Sequence, residues 1–210
     1  MNSQSYRRAA VAVTAAVLLP LGLAACADGQ SGSEAAAAPD AATSQPAADG
    51  TTVDKPFGPA CASVPKEGAG SFEGMAEDPV ATAASNNPEL STLVAAVKQA
   101  GLVDTLNNAE NITVFAPTND AFAKIPKADL DKVLADKETL TSILTYHVVG
   151  QKLTPQQLEN GSFETLQKSK LTTSGSGESY TVNDSSKVVC GNVPTANATV
   201  YIVDTVLMPK

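Results

Sequence analysis

The sequence has no tryptophan, only 4% aromatic residues and a single histidine, His147, among 210 residues. The core must therefore rely on Leu, Val, Ile and Ala. Basic residues are also few. Fourteen Lys and Arg stand against 22 Asp and Glu, a formal net charge of −8, and no Lys/Arg cluster offsets it locally. A surface of that sign repels phosphate backbones, which argues against nucleic acid as a partner. The chain has no Walker loop, no dinucleotide-binding glycine pattern and no CxxC pair, so nucleotide, redox and zinc chemistry have no support. His147 lacks carboxylate or thiolate companions at ligand spacing, and no metal site or cofactor is expected. It falls four residues after Ile143, which predicts a buried imidazole hydrogen-bonded to a neighbour. The run Gly175-Ser176-Gly177-Glu178-Ser179 lacks the closing glycine of a nucleophile elbow and sits between strands, so no catalytic site is read there.

Long apolar runs are scarce too. The N-terminal one, from Ala9 to about Leu23, contains Pro20 and Gly22, is short for a ~30 Å hydrocarbon core, and has no basic stop after it. Arg7 and Arg8 precede it, and small residues lead from it into Cys26, the layout of a secretory signal over residues 1–25. Leu23-Ala24-Ala25-Cys26 resembles the bacterial lipobox. That resemblance implies a diacylglycerol on Cys26 and cleavage just before it, with the membrane as a partner through the lipid. Two or three acyl chains give firm attachment where one holds only marginally, with K about 10⁴ M⁻¹. The alternative is ordinary cleavage near Ala25, with Cys26 an idle thiol. Cys61 and Cys190 then remain, an even pair in an exported chain. They form either a disulfide, closing a loop of about 130 residues, or two buried free thiols.

Residues 26–55 are rich in Ala, Pro and Ser and almost free of large apolar side chains, so they read as a disordered tether. A packed domain is expected over residues 56–210. Leu90, Leu93, Val94 and Val97 fall on one helical face, with Pro88 near its start and Gly101 near its end. Leu102 to Leu106 continues as helix before a turn at Asn107 and Asn108. Ile112 to Phe115 is a short buried strand that ends at Pro117, and Thr118 or Asn119 caps a helix bearing Phe122 and Ile125. Leu130, Val133 and Leu134 mark another helix, and Leu140, Ile143 and Leu144 a further one. After Gly150 the period changes to two. Strands are predicted at Ser162–Gln167, Lys170–Ser174, Tyr180–Asn183 and Lys187–Cys190, with a hairpin loop at Gly175-Ser176-Gly177. Thr199 to Leu207 reads as a central strand on which Asp204 shares a face with Val200, Ile202 and Val206. A carboxylate in that setting needs hydrogen-bond partners. Helices early and strands late give an α+β class. The sequons at Asn111 and Asn197 overlap predicted strands and carry little weight.

Three stretches in order resemble the fasciclin-type domain family. They are Thr113-Val114-Phe115-Ala116-Pro117-Thr118-Asn119-Asp120-Ala121-Phe122, the pair Tyr146-His147, and Ala198 through Pro209 with Asp204 inside it. The run Gly74-Met75-Ala76-Glu77-Asp78-Pro79-Val80 and the triplet Val189-Cys190-Gly191 are similar to the secreted and lipid-anchored fasciclin antigens of mycobacteria and related actinobacteria. The resemblance implies a β-sandwich or wedge flanked by several α-helices, and a disulfide whose cysteines fit Cys61 and Cys190. It also implies a non-enzymatic role in adhesion or surface recognition; the expected location is the extracytoplasmic face of the cell membrane, or the medium after release, and the expected state a monomer. The partner would be extracellular matrix or a host surface protein. Thr113, Phe115, Pro117, Asn119, Phe122, Tyr146, His147 and Asp204 are the motif residues, each with a structural or an adhesion-associated role. An envelope lipid or glycolipid held in an apolar groove is the alternative function.

Overall fold

The computed structural model describes residues 55–209. The signal segment, Cys26 and the tether as far as Asp54 lie outside the described residues. After a 3-10 helix at Pro59–Ser63, the described residues form four α-helices, α1 (Phe72–Glu77), α2 (Val80–Ser85), α3 (Ser91–Ala100) and α4 (Val103–Asn108). The α3 helix carries the predicted stripe: Leu93 and Val97 are buried, as is Leu90 in the 3-10 turn ahead of it. It stops at Gly101, whose φ of 75° is the left-handed conformation that lets the last amides turn back onto the Val97 and Lys98 carbonyls. The expected turn at Asn107 and Asn108 is instead the last part of α4. Asn107 Oδ1 accepts from the Ala81 amide and so caps the first turn of α2. The six-residue α1 and α2 are too short to show a periodic stripe, and such helices persist only through tertiary packing.

Strand β1 (Ile112–Pro117) is followed by α5 (Asn119–Ala123), α6 (Lys127–Ala135), α7 (Lys137–Tyr146) and the short β2 (Val148–Val149). Five strands follow: β3 (Asn160–Glu164), β4 (Lys170–Ser176), β5 (Ser179–Val182), β6 (Ser186–Pro194) and β7 (Ala198–Val203). The α+β class holds. The strands form one sheet in the order β2-β1-β7-β6-β5-β4-β3, with β1 and β7 parallel and every other pair antiparallel. The sheet curls until its two edges meet. Val149 bridges Thr165, just past β3, and the Leu166 amide donates to the Val148 carbonyl at 2.8 Å. Closing a sheet on itself removes the exposed edges that would otherwise pair with other chains.

Strand β7 is central and buried on both faces, as its apolar composition predicts. It ends at Val203, short of the expected Leu207. Asp204 lies just past its end, is half-buried, and so does not share a strand face with Val206. The physical reason is its attachment to Lys187 of β6: Asp204 Oδ1 accepts from the Lys187 amide at 2.8 Å, and the Asp204 amide donates to the Lys187 carbonyl at 3.0 Å.

Strand alternation divides the buried residues into two cores. Ile112, Val114 and Ala116 of β1, with Ala198, Val200 and Ile202 of β7, face the helices. Phe115, Tyr201 and Val203 face the interior of the curled sheet, where Tyr146, Tyr180 and Phe57 join them. Ahead of α1, Phe57 pairs with Gly191 of β6 through backbone hydrogen bonds of 3.1 and 2.8 Å. Cys61 then forms a disulfide with Cys190, their Cα atoms 4.9 Å apart across a sequence separation of 129.

Candidate functional site

The motif residues meet around His147, at the C-terminal end of α7. The Phe115 amide donates to the His147 carbonyl at 2.9 Å, joining the first motif to the second. The imidazole joins the second to the third: Nε2 accepts from the Leu207 amide at 2.9 Å. That contact assigns the proton to Nδ1, which donates to the Ile143 carbonyl at 2.8 Å. Burial pushes the imidazole pKa down to about 4, with the bond to Ile143 working the other way. His147 is thus a neutral bracket with both nitrogens occupied, which leaves none to serve as base or metal ligand.

The other motif side chains are spent in the same manner. Thr113 Oγ1 donates to the Gln151 carbonyl and accepts from the Leu153 amide, pinning the loop after β2. Phe115 is fully buried and stacks on Tyr201 with ring centroids 5.8 Å apart. Pro117 closes β1 and is buried, and Phe122 packs in the helix-side core. Thr118 caps α5 by accepting from the Ala121 amide. Asn119 works on another helix: Oδ1 accepts from the Thr92 amide and Ser91 hydroxyl in the first turn of α3, and Nδ2 donates to the Pro88 carbonyl. Tyr146 donates its hydroxyl to the Lys170 carbonyl and accepts from Asn183 Nδ2. Asp204 also accepts from the Thr205 hydroxyl at 3.0 Å and pairs with Lys124 at 3.2 Å. Partial burial pulls its carboxyl pKa upward, but the bonds from Lys187, Lys124 and Thr205 outweigh this and hold it below the usual carboxylate value.

One hub has no counterpart among the sequence motifs. Asn197 Oδ1 accepts from the Val80 amide at 2.8 Å, and its Nδ2 donates to the carbonyls of Leu106, Asn107 and Ala109. It ties the turn between β6 and β7 to α2 and α4, a role that its position in a sequon gives no hint of. Among the described residues no group of three His, Cys, Asp or Glu side chains could hold a metal ion, and no helix is long and apolar enough to cross a membrane.

The Fasciclin domain profile matches residues 88–209, a span that contains all three motifs and their meeting point at His147. The chain belongs to the fasciclin-domain family. It is 49% identical over 176 residues to Immunogenic protein MPB70 of Mycobacterium bovis, covering 80% of this chain and 88% of that one. It is 49% identical over 185 residues to Cell surface glycolipoprotein MPB83 of the same species, covering 84% and 80%. A cyanobacterial relative, Protein sll1483 of Synechocystis, is 40% identical over 128 residues, covering 60% of this chain and 71% of that one. Among solved structures, a FAS1 domain pair from the insect cell adhesion molecule Fasciclin I superposes with a TM-score of 0.53 at 19% identity. That match covers 65% of this chain and 52% of the insect chain, and shows the shared fold.

Proposed function

We propose that this fasciclin domain is a non-enzymatic adhesion and recognition module, held on the extracytoplasmic face of the cell membrane by acylation of Cys26. The observation that carries the reading is the way the motif polar groups are used. Thr113, Asn119, Tyr146, His147 and Asp204 are bonded to backbone and neighbouring side chains, so the motifs build a scaffold rather than a reacting centre. The 49% identity to a cell surface glycolipoprotein supports the location, and the insect cell adhesion molecule of the same fold supports the kind of role. The partner is an extracellular matrix component or a host surface protein, met by a monomer.

Two measurements test this. Mass spectrometry of protein extracted from membranes should find Cys26 N-terminal and carrying diacylglycerol; an unmodified thiol there removes the anchor. Cells lacking the protein should attach less to matrix-coated or host-cell surfaces, and purified protein should compete with the attachment of intact cells. Equal attachment with and without the protein rules out the adhesion role.

A further inference from the structure

A cavity of about 130 Å³ lies between α2, α3 and the helix-facing side of β1 and β7. Its depth is aliphatic: Leu93 and Val97 from α3 face Val114, Ala116, Val200 and Ile202 from the sheet. Of its two buried polar wall residues, His147 has both ring nitrogens bonded, whereas Asn87 accepts from the Glu89 amide through Oδ1 and has a buried Nδ2 with no hydrogen-bond partner. Along its aliphatic walls such a void forfeits dispersion contacts, which an apolar guest restores and water does not. A comparable cavity of about 150 Å³ accepts benzene, which sizes the guest here at about six carbons within the protein.

The rim selects the head group. Half-buried Ala81 and Ala84 of α2 stand opposite half-buried Val94 of α3, and their small side chains leave the gap between the helices narrow but open. Exposed Lys98, in the last turn of α3, borders the same opening. Among the described residues the ion-paired lysines are Lys124, Lys132 and Lys168, and Lys98 is not one of them. On a chain with a net charge of −8, an ammonium without an anion beside an aliphatic hole is complementary to an amphiphile with an apolar tail and a negative head.

From these features we infer that the cavity between α2 and α3 is a binding site for a medium-chain fatty acid, its tail inside against Leu93, Val97 and Val114 and its carboxylate at Lys98. The site is separate from the adhesion reading, since none of the carboxylate-binding geometry involves Cys26 or requires a protein partner.

The test uses the full chain, with octanoate and 1-octanol as probes, monitored by calorimetry and by amide NMR shifts. Octanoate should bind saturably and one-to-one, shifting the amides of Ala81, Ala84, Val94, Val97 and Lys98. Lys98→Glu should weaken octanoate by up to about fivefold, the reach of one exposed ion pair, and leave octanol unchanged. Ala84→Leu should abolish both by filling the opening; Val94→Phe is the second blocking variant should the first fail to fold. Non-saturable uptake, shifts confined to other surfaces, or octanoate binding indifferent to Lys98→Glu would each overturn the assignment.

Discussion

The two cores on either side of the sheet are built from different chemistry. On the helix side Val, Leu, Ile and Ala dominate, with Phe122 the one buried aromatic ring among the described residues, and a cavity remains among them. Inside the curled sheet the scarce aromatics are gathered: Phe57, Phe115, Tyr146, Tyr180 and Tyr201 pack together, and Tyr201 donates its hydroxyl to the Leu153 carbonyl at 2.9 Å. Burial raises the ionisation of the Tyr201 hydroxyl well above its ordinary value, so it is a fixed donor at any physiological pH. The expectation of an aliphatic core from composition holds for one side of the sheet only. A low average hides a local concentration, because alternation on β1 and β7 sends Phe115 and Tyr201 to the same face. The aromatic side is filled and hydrogen-bonded; the aliphatic side has room.

Perturbations of the two sides should differ in a measurable order. Reducing the Cys61–Cys190 disulfide, which clamps the leading segment to β6, should cost about 2–5 kcal/mol in denaturant titrations, the upper figure being the chain-entropy value for so long a loop. A loss near zero would mean that the Phe57–Gly191 pairing alone holds that segment. Next, Phe115→Ala should destabilise by about 3–5 kcal/mol, whereas Val97→Ala at the cavity wall should cost roughly 1.5 kcal/mol. Equal losses would erase the contrast between filled and loosely packed sides.

The third expectation concerns His147, which stands where the two sides meet. Its folded pKa, about 4, lies below the ordinary 6.5, so between those values the unfolded chain binds a proton that the folded chain refuses. Stability should be flat above pH 6.5 and fall as the pH drops from there to 4, by roughly 3 kcal/mol in total. In His147→Gln that slope should vanish, read from melts across the pH range; an unchanged slope would assign it to carboxylates. The smallest effect should be Tyr201→Phe, about 1–2 kcal/mol for the bond to Leu153, with ring packing kept.

Much of this fold was legible because its strongest signals are local. The α3 stripe, the buried β1, the central β7 and a buried, hydrogen-bonded His147 all follow from spacing along one element. What was not legible depends on residues far apart in the chain. The partner of His147 Nε2 sits sixty positions away at Leu207. Asn119 caps a helix that precedes it, and Asn197 gathers groups from α2 and α4. The two-residue β2 exists only because β1 runs beside it. The cavity is set by how α2 and α3 stand on the sheet, and no stretch of sequence encodes a space.

The position of the disulfide has a mechanical corollary. If the chain is pulled from a point ahead of Phe57 and from its C-terminal end, tension enters at Cys61 and crosses the sulfur bridge directly to Cys190. Helices α1 to α7 and strands β1 to β5 lie within the covalent loop and are bypassed by that load path. Short of bond rupture, stretching can extend only the few residues before Cys61 and the chain after Cys190. The latter is held by β7, locked between β1 and β6, so the helices keep their shape under shear until that strand is drawn out.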